Sequence, residues 1–201
     1  MRILLSLVLA LALVLPFPAW AFDWSRVVER LSKSVVALSA KTHGVNSYPV
    51  HCAGFVVQPE LVLSADHCYA ENLRVDGLVA IELGHGLESD LTLLRVIGLR
   101  KEPVTFSTTP IAVGKEIMAY GHAYGATQPI LRAGNVAAHD TKHYYTIIFD
   151  KTYIGGMSGA PVVNTSGDVV GIVQMRNTDV GIGVDAEAIL WFINAVQSNS
   201  N

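Results

Sequence analysis

Gly155-Gly156-Met157-Ser158-Gly159-Ala160-Pro161 sets a serine inside a glycine-rich turn that ends at a proline. The glycines let the backbone take a tight turn whose NH groups can point at a developing oxyanion. A serine hydroxyl at neutral pH is a poor nucleophile until a base removes its proton. An imidazole serves best when a carboxylate fixes its tautomer and stabilises its cation. Upstream the chain supplies both partners, in Ala65-Asp66-His67-Cys68 and in Ser89-Asp90-Leu91-Thr92-Leu93-Leu94. The three contexts together point to an activated nucleophile.

Chain order separates two architectures that use such a set. A nucleophile elbow of the α/β-hydrolase type requires a histidine after the serine, and none follows Ser158. Ala160 also stands where the last glycine of a Gly-x-Ser-x-Gly elbow belongs. The order His67, Asp90, Ser158 and the three contexts instead resemble the chymotrypsin-like (trypsin-fold) serine proteases, and in detail the exported HtrA-type branch. Residues 24–38 resemble that family's leading helix and first strand, and residues 119–125 its Gly-rich turn. Asp150 stands eight residues before Ser158, as an aspartate does in HtrA-type domains.

The resemblance implies an all-β fold: two six-stranded antiparallel β-barrels with a short N-terminal helix and a C-terminal helix. It implies His67 as general base and acid, Asp90 as its orienting partner, Ser158 as nucleophile, and the NH groups of Gly156 and Ser158 as the oxyanion hole. By position Thr152, Gln174, Gly181, Gly183 and Asp185 line the substrate pocket. Asp185 at the pocket base would favour Lys or Arg. HtrA-type domains have a small apolar residue there and prefer aliphatic side chains, so an outward-facing Asp185 stays open beside the first reading. The family also has a disulfide at the positions of Cys52 and Cys68, this chain's two cysteines. Export permits the oxidised pair; in the chain-entropy model a loop of about 15 residues stabilises by about 3 kcal/mol. Two buried thiols would be expected only in a reducing compartment.

Some positions depart from the family pattern. Asp66 replaces the usual alanine before the histidine; it could perturb the base or face solvent from the turn, and the solvent reading is preferred. The interval between His67 and Asp90 is short, which leaves Asp76 and Glu82 as alternative carboxylates. Met157 replaces the aspartate with which pancreatic-type enzymes form an activating ion pair with a new N-terminal amine. Residues 22–34 are therefore expected to be part of the fold rather than a propeptide.

Residues 1–21 carry Arg2, an apolar run from Ile3 to Leu15, Pro16 and Pro18, then Ala19-Trp20-Ala21. This is the pattern of a signal peptide; a retained membrane anchor is the alternative, but the run is short for a bilayer span and two prolines interrupt its end. The expected mature chain is one domain over 22–201, with no room for an appended PDZ domain. It is periplasmic or secreted, with no membrane association after signal removal. It carries 13 basic and 17 acidic side chains. No basic stripe forms, so nucleic acid is not an expected partner; protein or peptide substrates are. Without a cysteine or carboxylate set to complete a tetrahedral site, the histidines beyond His67 (His43, His51, His85, His122, His139 and His143) give no metal-ligand spacing. No metal or other cofactor is expected.

Strand-like runs recur over 35–39, 52–57, 61–64, 78–83 and 91–97, then over 116–120, 129–133, 144–149, 161–163, 169–174 and 181–184, with turn residues between. The first barrel is expected over about 35–100 and the second over about 111–185. Asn164-Thr165-Ser166-Gly167-Asp168 reads as a hairpin turn; its first three residues also form a glycosylation sequon, a triplet that occurs by chance as well. Ile189, Phe192, Ile193 and Val196 mark one face of a closing helix over 187–197. The expected activity is that of an exported serine endopeptidase working through an acyl-enzyme. The rival is a trypsin-fold pseudoprotease that binds extended peptides without cleaving them.

Overall fold

The computed structural model describes residues 22–40, 49–140, 146–150, 154–176 and 180–199. Residues 1–21, and with them the expected signal peptide, lie outside the described residues.

Helix α1 (Ser25–Leu31) leads in. Its Val27 and Leu31, one helical turn apart, are buried and join the core, so this segment is part of the fold. A first group of strands follows: β1 (Val35–Ser39), β2 (Val50–Gln58), β3 (Leu61–Ala65), β4 (Arg74–Val75), β5 (Leu78–Val79), β6 (Ile81–Gly86) and β7 (Leu91–Arg95). The second group is β8 (Glu116–His122), β9 (Pro129–Asp140), β10 (Thr146–Asp150), β11 (Pro161–Val163), β12 (Val169–Arg176) and β13 (Val180–Asp185). Helix α2 (Ala186–Ser198) closes the chain.

The second group forms a closed barrel in the order β10-β13-β12-β11-β8-β9. The first departs from the expected six-stranded barrel: it is a curled seven-stranded sheet, β5-β4-β1-β2-β3-β7-β6. The run expected as one strand over 78–83 divides at Ala80, whose NH bonds back to Leu73 O at 3.2 Å. Its first part pairs with β4 and its second with β7, so the chain steps from one sheet edge to the other. Closure there is covalent, through Ala80, rather than by a ladder of hydrogen bonds.

All five residues of β3 are buried, as are Leu91, Thr92, Leu93 and Leu94 of β7. Such continuous buried runs, apolar but for Ser64 and Thr92, suit strands covered on both faces. One core cluster belongs to both halves, joining Phe55, Leu63 and Leu93 to Met118, Val163 and Ile172, with Ile189, Phe192 and Ile193 of α2 sealing it. Burying each large apolar side chain contributes roughly 1.5–3 kcal/mol, so the halves are held in fixed relation by shared packing. Between them the chain is stitched by Val104 N to Val56 O (2.9 Å) and Val169 N to Thr105 O (2.8 Å).

Candidate active site

His67 sits in a short 3₁₀ turn (Asp66–Cys68) that follows β3. The disulfide joins Cys68 of that turn to Cys52 on β2, with the Cα atoms 6.0 Å apart. His51 Nε2 lies 2.9 Å from Cys68 O. The turn is thus anchored by contacts beside the imidazole's own backbone.

Asp90 is the last residue before β7 and has φ +48°, a left-handed conformation that Asp tolerates better than most side chains. Its carbonyl accepts from Asp66 N at 3.0 Å. Its carboxylate accepts from His67 N (Oδ1, 3.0 Å) and meets His67 Nδ1 through Oδ2 (2.8 Å) and Oδ1 (3.1 Å). The short interval between the two residues is therefore enough to join them. This hydrogen bond is the main cause that raises the His67 pKa above its ordinary 6.5; partial burial works against it, while the charges of Asp90 and Asp66 add to it. The alternative carboxylates are engaged elsewhere. Asp76 Oδ1 accepts from Ala37 N (2.8 Å) and its Oδ2 lies 3.6 Å from Lys101 Nζ; Glu82 faces His85.

Ser158 occupies the loop before β11. Its carbonyl accepts from Ala53 N (2.9 Å), and the next NH, that of Gly159, bonds Val173 O (2.7 Å). Gly159 has φ +82°, and a Cβ there would strike Ala53 O and Ser64 Oγ. Gly156 has φ +91°, and a Cβ there would collide with Tyr124 N and lie 2.6 Å from Tyr124 Cα. Only glycine serves at either position. The Gly156 and Ser158 NH groups donate to no backbone carbonyl among the described residues. Met157, between them, is fully buried in the second half's core.

The structure brings His67 and Asp90 into direct contact and sets the Ser158 loop beside them. Cys68 Sγ is 3.9 Å from Ser158 O, and an imidazole nitrogen lies within 4.8 Å of both disulfide sulfurs. The Ser158 hydroxyl, however, donates to Gln174 O at 2.9 Å and not to His67.

Of the expected pocket positions, Thr152 lies outside the described residues. Gly181 and Gly183 are on β13, paired with Arg176 and Val173 of β12. Gln174, at a bulge in that pairing, is 8% exposed. Its side chain reaches the Asp90 turn: Nε2 donates to Ser89 O and approaches Asp90 O at 3.4 Å. One residue therefore holds the Ser158 hydroxyl with its carbonyl and the Asp90 turn with its amide. Sequence reasoning misses this tie, because nothing local to Gln174 signals a partner 84 positions away. Asp185 is not brought to Ser158: it is the N-cap of α2, accepting from Ala188 N at 2.9 Å, and burial raises its pKa. Asp66 does not face solvent as expected. Its side chain is 17% exposed and turns toward His85, and burial raises its pKa.

Comparisons with known proteins agree with this architecture. Serine protease HTRA4 of Homo sapiens is 24% identical over 190 residues, covering 83% of this chain; the chain spans 40% of that relative's length. Among solved structures, a serine endoprotease from Yersinia pestis superposes with TM-score 0.77 at 16% identity, covering 90% of this chain and 69% of that one. The active form of the Rv3671c protease from M. tuberculosis gives 0.74 at 19%, covering 87% and 90%. The HtrA-type protease AlgW with a decapeptide gives 0.77 at 18%, covering 88% and 68%. At these identities the likeness concerns the fold. The family described as the trypsin-like peptidase domain matches residues 52–172, more than half of the sequence, and the chain belongs to that family.

Proposed function

We propose that this protein is an exported serine endopeptidase, with Ser158 as nucleophile, His67 as general base and acid, and Asp90 as the orienting carboxylate. The observation that carries the reading is the paired contact of Asp90 with both the backbone NH and Nδ1 of His67. It leaves Nε2 to address the adjacent Ser158 loop. Rotation about the Ser158 side chain takes the hydroxyl from Gln174 O to that nitrogen. Oγ then attacks a peptide carbonyl while its proton passes to Nε2. The tetrahedral oxyanion is met by the NH groups of Gly156 and Ser158, a contribution of about 2.7–4 kcal/mol per donor in sites of this kind. The imidazolium returns the proton to the leaving amine, and water releases the acyl group by the reverse sequence.

Peptide substrates are favoured by the edge geometry. The β11–β12 ladder ends at Pro161–Ile172 and Val173 bonds Ala160 O and Gly159 N; past Gln174 no backbone bond from β12 to the Ser158 loop occurs among the described residues, which supports strand addition by an extended chain. The decapeptide held by AlgW supports the same class of ligand. The Cys52–Cys68 disulfide supports an oxidising compartment, periplasmic or extracellular. No helix among the described residues is long and apolar enough to cross a membrane.

The Ser158–Gln174 hydrogen bond favours a second reading, a peptide-binding pseudoprotease whose hydroxyl is held off the base. Hydrolysis of casein by the wild type and by Ser158→Ala separates the two. The proposal expects cleavage by the wild type and none by a folded Ser158→Ala. An inactive wild type that still binds unfolded casein would establish the pseudoprotease, and full activity in Ser158→Ala would discard Ser158 as nucleophile.

A further inference from the structure

Three side chains outside the proposed catalytic set converge next to it. His85 Nδ1 lies 3.3 Å from Glu82 Oε1 and 3.6 Å from Asp66 Oδ1, and the three donor atoms all fall within 4.8 Å of one another. Along the chain the set is invisible. Residues three apart on a regular strand point to opposite faces, and Asp66 arrives from a different element. The register of β6 against β7 explains the meeting: Glu82 pairs with Leu94 and Gly84 with Leu93, so Leu83 is the extra residue of a β-bulge. The bulge resets the pleat and brings Glu82 and His85 to one face. Asp66 is fixed beside them by its NH bond to Asp90 O.

We propose that Asp66, Glu82 and His85 form a site for a divalent cation of the zinc class, with the fourth position left to water. Bonds of about 2.0–2.2 Å in tetrahedral geometry separate neighbouring ligand atoms by about 3.3–3.6 Å, the spacing of the two imidazole–carboxylate pairs here. A nitrogen donor selects zinc-like ions over magnesium and calcium, which take oxygen. Two carboxylates and an imidazole nitrogen are all donor types that zinc-class ions accept. A second observation points the same way. Two buried side-chain oxygens among the described residues have no hydrogen-bond partner. One is Glu82 Oε1, which faces His85 Nδ1 at 3.3 Å as an ion-pair contact without hydrogen-bond geometry. The other is Thr92 Oγ1, whose residue is paired directly across from His85. A buried polar atom without a hydrogen bond is costly, and an ion held between Glu82 Oε1 and His85 Nδ1 relieves that cost for Glu82. Because Asp66 is adjacent to His67 in the chain and bonded to Asp90 through its NH, occupancy would brace the turn that carries the proposed base.

The test is titration of the untagged full-length protein, disulfide intact and stripped with EDTA, with zinc chloride by calorimetry, and with cobalt chloride followed by visible absorption. The expected result is one equivalent bound with tetrahedral cobalt bands. His85→Ala and Glu82→Gln should each lose at least tenfold in affinity, while His67→Ala retains the site. Circular dichroism in EDTA confirms that each variant is folded; where His85→Ala does not fold, Glu82→Gln and Asp66→Asn carry the comparison. No stoichiometric uptake by the wild type, or unchanged isotherms in His85→Ala and Glu82→Gln, would overturn the proposal and leave an ion pair only. Both readouts are independent of proteolysis, so they report on the cation site even in a protein that cleaves nothing.

Discussion

Gly155 and Gly156 are neighbours, yet they differ sharply in tolerance to a methyl group. Gly156 has φ +91°, and an added Cβ would lie 2.6 Å from Tyr124 Cα and 2.7 Å from Ala123 C, besides striking Tyr124 N. These are backbone atoms that no rotamer change can clear. Ordinary contact begins at 3.4 Å, so the turn and the 123–124 segment must separate by roughly 0.8 Å at least, before any relief of the conformational strain. Left-handed backbone costs a non-glycine residue about 1–2 kcal/mol, and forcing a well-packed site apart adds about 1–3 kcal/mol. Gly156→Ala should therefore lose about 2–5 kcal/mol of stability. It should also displace the proposed oxyanion donor, at a cost of about 10²–10³ in kcat. Gly155 has ordinary φ and nothing within 4 Å of its Cβ position, so Gly155→Ala should stay within about 0.5 kcal/mol and keep most of its activity. Peptide hydrolysis, with urea unfolding of both variants, checks the pair. A Gly156→Ala enzyme within threefold of wild type, or equal losses in the two variants, would show that the close contact with residues 123–124 does not shape this turn.

With His67 as the proposed base, its raised pKa, set first by the hydrogen bond to Asp90, should put the acid limb of kcat/KM above pH 6.5, since a base must be neutral to act. The folded state holds this proton more tightly than the unfolded chain, so the associated stability is complete below about pH 6.5 and is lost as pH rises through the folded value. Asp90→Asn should move the limb to lower pH and reduce kcat by about 10⁴, measured in EDTA to keep Asp66 free of cations; an unmoved limb would detach Asp90 from the base. Gln174→Ala removes the amide that meets Ser89 O and Asp90 O, so kcat should fall at least tenfold with KM little changed; a rise in KM alone would make Gln174 a substrate contact instead. Asp185→Ala should cost about 1 kcal/mol through loss of the α2 cap, whereas Asp185→Asn keeps the cap and relieves a half-buried charge. Neither should alter cleavage preference in a peptide library; a loss of Lys or Arg selectivity would return Asp185 to the pocket.

The parts of this site that are legible in the sequence are those encoded locally. The turn around Ser158 needs glycines at fixed positions, Gly167 marks its hairpin with φ +80°, and the apolar spacing of α2 follows from one buried face. Strands of the second half emerge to within a few residues where alternation or buried runs are strong, except β9, which continues from the expected 129–133 to Asp140. What escapes depends on irregularities that a pattern cannot carry. The break at Ala80 turns one expected strand into two, and the bulge after Glu82 reverses which side chains share a face. Asp66 reads as solvated because sequence does not show that His85 covers it. The tie of Gln174 to Ser89 and Asp90 escapes because those partners lie on the other half of the molecule. The pairing of Asp90 with His67 across a short loop, by contrast, is open in sequence and closed in the structure by two hydrogen bonds.

Catalysis of the kind proposed requires the Ser158 hydroxyl to leave Gln174 O and react under the influence of His67. Treatment with a fluorophosphonate, followed by peptide mass mapping, measures this directly. A single adduct on Ser158 is expected, forming at least a thousandfold more slowly in His67→Ala. An adduct elsewhere, or equal labelling rates with and without the imidazole, would show that His67 does not activate this serine.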